Sequence, residues 1–189
     1  MAFLFPEIYL IDGENLVARY QAMLKSGRTP KPGLVHIRDV LVWHPSLIGA
    51  ITGDIRRVLY YASAVGDDAY IAKIEGQIRC FEYSCSDGIL RRRSHVMSRV
   101  FKKLSKSQKS RSVDINITID SLRYARGGHA GVIVLYSGDG DFAPLIQEIT
   151  HSGAQVHVHA LSSGLSPLLE RCADQFAILD DKLFEPENA

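Results

Sequence analysis

Residues 131–142 read Gly-Val-Ile-Val-Leu-Tyr-Ser-Gly-Asp-Gly-Asp-Phe, and the fold class turns on them. The apolar run from Val132 to Tyr136 is too short for a helix, rich in β-branched residues and bounded by glycine. That is the pattern of a strand buried on both faces, as in a parallel sheet. Just after it, Phe142, Leu145, Ile146 and Ile149 share a helical face that ends before Gly153. Further on, Val156, Val158 and Ala160 alternate with His157 and His159, which predicts a half-buried strand. Ser166 and Pro167 then read as N-cap and first residue of a last helix carrying Leu168, Leu169, Cys172 and Phe176.

Toward the N-terminus the same alternation recurs. The apolar run 7–11 ends at Asp12-Gly13, and Leu16, Val17, Tyr20, Met23 and Leu24 follow at helical spacing with Asn15 in the N-cap place. Residues 57–63 (RVLYYAS) read as a second buried strand, 67–79 as a helix and 81–84 as a third strand. The stretch 34–52 reads either way: 35–37 and 40–42 alternate like strand, whereas 47–51 suits a helix. Residues 113–125 are equally divided, since V-D-I-N-I-T-I-D alternates for a strand while Ile115, Ile119 and Leu122 match a helical face. Alternating strands and helices imply a doubly wound α/β fold, a parallel sheet with helices on both faces. At 189 residues the chain fits a single domain over 1–189.

Charge is distributed unevenly. Between residues 91 and 111 stand Arg91, Arg92, Arg93, Arg99, Lys102, Lys103, Lys106, Lys109 and Arg111 with no acid, although the chain as a whole is only +1. A basic block on an otherwise acidic protein points to a polyanionic partner. Val96, Val100, Phe101 and Leu104 fall on one side of a helix there, and 105–112 reads as a mobile loop, so a basic helix-loop segment is expected. With 46% apolar and 23% charged residues the composition is that of a folded domain. Three cysteines without zinc-type spacing suggest reduced thiols, and no leader or membrane span is apparent, which favours a cytoplasmic setting and no membrane partner.

Acidic residues stand where such folds build sites. Asp12 ends the first strand, Asp114 opens the divided segment, and Asp139 and Asp141 follow the clearest strand. In open parallel sheets ligands bind outside the carboxyl ends of the strands. Carboxylates gathered there raise one another's pKa and call for a cation, and all-oxygen ligation suits Mg²⁺ or Mn²⁺. One or two such ions can activate water for phosphodiester hydrolysis. Capping competes with this reading for Asn15, Asp114 and Asp141. Asp12, directly behind a buried strand, has no obvious cap to make, and Asp120 reads as a surface helix residue unless the segment turns it inward.

The elements Ile11-Asp12-Gly13-Glu14-Asn15, Val113-Asp114 and Ser137-Gly138-Asp139-Gly140-Asp141-Phe142, in that order and with Tyr60-Tyr61 in the second strand, resemble the NYN family of PIN-like nucleases. The resemblance implies a PIN-like fold, a Mg²⁺ or Mn²⁺ site and cleavage of single-stranded or structured RNA, as a metal-dependent endoribonuclease. It assigns metal ligation to Asp12, Asp114 and Asp139, with Asn15 and Asp141 in support, and favours helix over strand for 113–125. The basic block departs from the family pattern. The rival expectation is a non-catalytic nucleic-acid-binding regulator on the same fold.

Gly138-Asp139-Gly140-Asp141 is no dinucleotide-binding loop, because its carboxylates would repel a pyrophosphate. His157 and His159 have no third ligand at suitable spacing and read as solvated strand residues, and no nucleophile-elbow motif supports serine hydrolase chemistry.

Overall fold

The structure is a computed structural model that describes residues 5–48, 54–86, 91–105 and 111–186. The chain runs β1 (Pro6–Asp12), α1 (Gly13–Lys25), a hairpin of β2 (Val35–Ile37) and β3 (Leu41–Trp43), β4 (Asp54–Val65) and α2 (Asp68–Arg79). A second hairpin, β5 (Glu82–Ser86) and β6 (Arg91–His95), leads to β7 (Met97–Lys103) and α3 (Arg111–Arg126). Then come β8 (Val132–Tyr136), α4 (Ala143–His151), β9 (Gln155–Ala160), α5 (Pro167–Cys172), β10 (Gln175–Ile178) and α6 (Asp180–Leu183).

Six strands form one parallel sheet in the order β10-β9-β8-β1-β4-β7. Its residues obey the two-residue period of a pleated strand. On one face Tyr9, Ile11, Tyr60 and Val134 pack with Leu16, Val17 and Tyr20 of α1 and Ile74 and Ile78 of α2. On the other, Ile8, Leu10, Tyr61 and Ile133 pack with Val113 and Ile117 of α3 and Leu145, Ile146 and Ile149 of α4. Helices on both faces are as expected. The strand order reverses at β1: the chain steps outward through β4 and β7, and α3 carries it back to β8 on the other side of β1.

Several expectations need correction. The basic run is not a helix: 91–95 and 97–103 are strands, and 106–110, with Lys106 and Lys109, lie outside the described residues. Its apolar residues therefore do not share a side. Val96 is buried, Val100 and Phe101 pack into opposite cores, and Leu104 is 86% exposed. The third expected strand, 81–84, exists as β5 but belongs to a hairpin outside the main sheet. The last helix stops at Cys172, and Phe176 lies in β10, a sixth strand that the periodicity does not reveal. Segment 35–43 is a hairpin and 45–48 a short 3₁₀ turn. Residues 113–125 are helical, as the resemblance favours, but the inward face is Val113, Ile117, Ser121 and Ala125, whereas Ile115 and Ile119 are exposed.

Candidate functional site

The reversal at β1 leaves a crevice between the carboxyl ends of β1 and β8, the place where this class of sheet receives ligands. Asp12 closes β1 there and is 3% exposed. It caps α1: its Oδ1 accepts the Asn15 N–H at 3.1 Å. Its Oδ2 accepts the Ser137 hydroxyl at 2.9 Å, and Ser137 Oγ in turn accepts the Asp139 N–H at 3.2 Å. Asn15 Oδ1 accepts the Gly138 N–H at 3.1 Å, so two cross-links sew the first motif to the third.

Glycine is required at both seams. A Cβ on Gly13 would stand 2.4 Å from Tyr60 Cε1 and 2.5 Å from the Tyr61 carbonyl, and one on Gly138 would stand 2.3 Å from the Gly164 carbonyl. Strand and helix can approach this closely only without a side chain.

Burial pushes the Asp12 carboxyl up to about 7, and the neighbouring charges of Asp114 and Glu14 add to the rise, against the lowering by Asn15 and Ser137. Asp114 lies half-buried in the first turn of α3, the crossover helix on the opposite face of the sheet to α1, and acts on Asp12 through its charge. Asp139 caps the 3₁₀ turn Gly140–Phe142, accepting the Asp141 N–H at 3.0 Å. Asp141 itself is exposed and does not serve as the cap of α4, which begins at Ala143 without a side-chain cap. The capping roles thus fall to Asp12 and Asp139, not to Asn15 and Asp141, and Asp114 lies inside its helix.

Asp12, Asp114 and Asp139 are brought to one edge but not to one point. Among the described residues no three His, Cys, Asp or Glu side chains stand, as they are, in a cluster that closes around an ion. The oxygen-only donor set nevertheless fits a hard divalent cation, and a buried carboxyl held near neutrality beside two further acids is the charge pattern a cation would relieve.

Several residues around the crevice have no role that the sequence assigns. Glu14 accepts from the Ser63 hydroxyl and pairs with Lys103 Nζ at 2.5 Å. Ser137 orients Asp12; both residues are visible within the motifs, but nothing in residue type announces their partners. Asp120 turns inward at 5% exposure, accepting the Tyr61 hydroxyl at 2.9 Å and Arg123 at 2.7 Å, with Arg99 at 3.7 Å. His157 and His159 are half-buried rather than solvated, and His159 lies 4.8 Å from the Tyr136 ring, centroid to centroid.

The basic residues are scattered rather than aligned. Arg91 and Arg92 lie in β6 and Arg93 pairs with Glu82 at 3.8 Å. Arg99 faces α3 through Asp120, whereas Lys102 faces α2 through Asp68 at 2.7 Å. Arg111 is exposed at the start of α3.

A parallel six-stranded sheet whose reversal point gathers these three acidic motifs is a PIN-like nuclease fold. The chain belongs to the NYN domain family, whose model matches residues 8–180. Among solved structures it is similar to a protein of unknown function from Vibrio parahaemolyticus, with 19% identity over 98% of this chain and 99% of that one and a TM-score of 0.66. That likeness concerns the fold alone. No curated protein matches the chain. No helix among the described residues is long and apolar enough to cross a membrane.

Proposed function

We propose that the chain is a divalent-metal-dependent ribonuclease that hydrolyses RNA phosphodiester bonds, with Mg²⁺ or Mn²⁺ as its cofactor. The observation that carries this reading is the buried Asp12 carboxyl, held at the β1/β8 crevice with Asp114 and Glu14 adding negative charge. Asp12, Asp114 and Asp139 are the residues that would hold the ion. When bound, such an ion polarises the phosphate and supplies an activated water. The chain's own part is orientation: Ser137 fixes Asp12 and Asn15 locks α1 to the loop after β8. Asp141, exposed and two residues after Asp139, would support them.

A second reading is a nucleic-acid-binding regulator without turnover, favoured by Arg99, Lys102 and Lys103 on the edge strand β7, cations that can hold a polyanion without a metal. Cleavage of single-stranded RNA with Mn²⁺ or EDTA, alongside Mn²⁺ binding measured by calorimetry, separates the two. The nuclease should cleave only with metal, and Asp139→Asn should lower the rate about 100-fold or more and weaken Mn²⁺ binding. RNA binding without any cleavage would establish the regulator instead.

A further inference from the structure

A cavity of about 310 Å³ opens on the carboxyl edge beyond the crevice, and none of Asp12, Asp114 and Asp139 lines it. Its walls include Arg38, Asp39, Ser63, Val65, Tyr70 and Lys103, from the β2–β3 turn, the end of β4, the first turn of α2 and the end of β7. The volume is at the lower end of ligand-sized cavities, ~300–1,000 Å³.

Three features give it a built character. Gln21 of α1 pins the turn, its Oε1 accepting the Asp39 N–H and its Nε2 donating to Asp39 Oδ1, each at 3.1 Å. Asp39 holds the left-handed φ of 61° there. Gly66 leaves room for the Tyr70 ring, since a Cβ there would stand 2.6 Å from Cδ1. Lys103, only 17% exposed, is fixed by its ion pair with Glu14.

Glu14 also connects the cavity to the crevice. Its carboxylate takes bonds from Ser63 and Lys103, both on the cavity wall, and it stands two residues from Asp12 in the first turn of α1. Along the edge, β7 lies two strand spacings, about 10 Å, from β1. A chain whose phosphodiester sits at Asp12 therefore reaches the cavity with its neighbouring nucleotide. The wall offers two cations, Arg38 paired with Asp39 at 3.8 Å and Lys103 paired with Glu14, together with one aromatic ring and a hydroxyl, the kinds of group that take a nucleotide's phosphate and base.

We propose that this cavity is a nucleotide subsite, seating the RNA nucleotide adjacent to the scissile phosphate, with its base on Tyr70 and its phosphate between Arg38 and Lys103. The subsite rests on the ribonuclease reading. It is tested by binding of short oligoadenylate and oligouridylate to the full chain in EDTA, over a series of salt concentrations. Tyr70→Ala should weaken binding roughly 5- to 150-fold, the range for loss of one base–aromatic stack, while Tyr70→Phe keeps wild-type affinity. Arg38→Gln changes a side chain that is 86% exposed and should leave folding intact. It should reduce the log–log salt slope by about 0.7. Wild-type affinity in Tyr70→Ala together with an unchanged slope in Arg38→Gln overturns the subsite but leaves metal-dependent cleavage and its loss in Asp139→Asn standing. Wild-type protein that neither binds nor cleaves RNA overturns both.

Discussion

Asp12 puts both carboxylate oxygens to work, one capping α1 and one taking the Ser137 hydroxyl, and burial still lifts its pKa to about 7. Because the folded-state pKa lies above the ordinary 3.8, the folded protein keeps a proton that the unfolded chain loses. The resulting stability is full below pH ~4 and disappears as pH rises through ~7. Its ceiling is on the order of 4 kcal/mol. Asp12→Asn keeps a capping oxygen but has no charge to bury. The metal-free variant should therefore be more stable than wild type at pH ~8 and nearly equal at pH ~4, while RNA cleavage is lost. Urea unfolding in EDTA across that pH range reads this out, and parallel pH profiles for the two proteins would mean that Asp12 does not carry the pH dependence. The sequence places Asp12 at the site but puts the cap at Asn15. Asp and Asn are both good caps, so residue type alone cannot choose, and the choice is made by how closely Gly13 lets α1 approach Tyr60.

At the scale of elements, α3 shows why alternation misleads. Val113, Ile115, Ile117 and Ile119 satisfy a strand's period, but only Val113 and Ile117 are buried, and the inward face continues through Asp120 and Ser121. A charged residue in that face is invisible to a hydrophobic pattern. Its partners Tyr61 and Arg99 come from β4 and β7, far away in sequence, so Asp120 clamps α3 to the sheet. Asp120→Asn should cost about 2 kcal/mol in unfolding free energy, the scale of losing hydrogen bonds to a charged group. If cleavage is measured well below the melting temperature, most activity should remain. A larger loss of activity than in Asp139→Asn would move the catalytic assignment onto Asp120. In β9 the alternation is legible, but the cover over its polar face is not. His159 packs near Tyr136, and burial, with His157 and Lys182, holds its pKa down at about 4. Here the unfolded chain takes the proton first, so stability is lost as pH falls from ~6.5 to ~4, by at most on the order of 3 kcal/mol. His159→Gln should flatten that acid-side loss in melting curves. An unchanged acid slope would place the loss on other groups.

For the whole molecule, the order β10-β9-β8-β1-β4-β7 does what no single element can: it sets the β1 and β8 loops side by side and brings α3 across behind them. Motif order makes the sheet legible, because the first and third acidic motifs directly follow strands β1 and β8. The basic block is legible as charge but not as shape, since a charge run carries no period and the apolar residues of β7 imitate a helical side. As a strand it divides its cations between faces, Arg99 toward α3 and Lys102 toward α2, with Lys103 at the carboxyl edge beside Glu14. A polyanion lying along that edge meets Lys103 more readily than Arg91, Arg92 and Arg93, which belong to the separate β5–β6 hairpin. Neutralising Lys102, Lys103, Lys106 and Lys109 together should flatten the salt dependence of RNA binding, by about 0.7 in log–log slope for each phosphate no longer engaged. It should raise KM with little change in kcat, because such cations hold ground state and transition state alike. Neutralising Arg91, Arg92 and Arg93 should change the slope less. If the hairpin triple variant shows the greater drop in slope instead, the RNA path crosses β6 rather than the carboxyl edge, and the cavity beside Lys103 lies off its course.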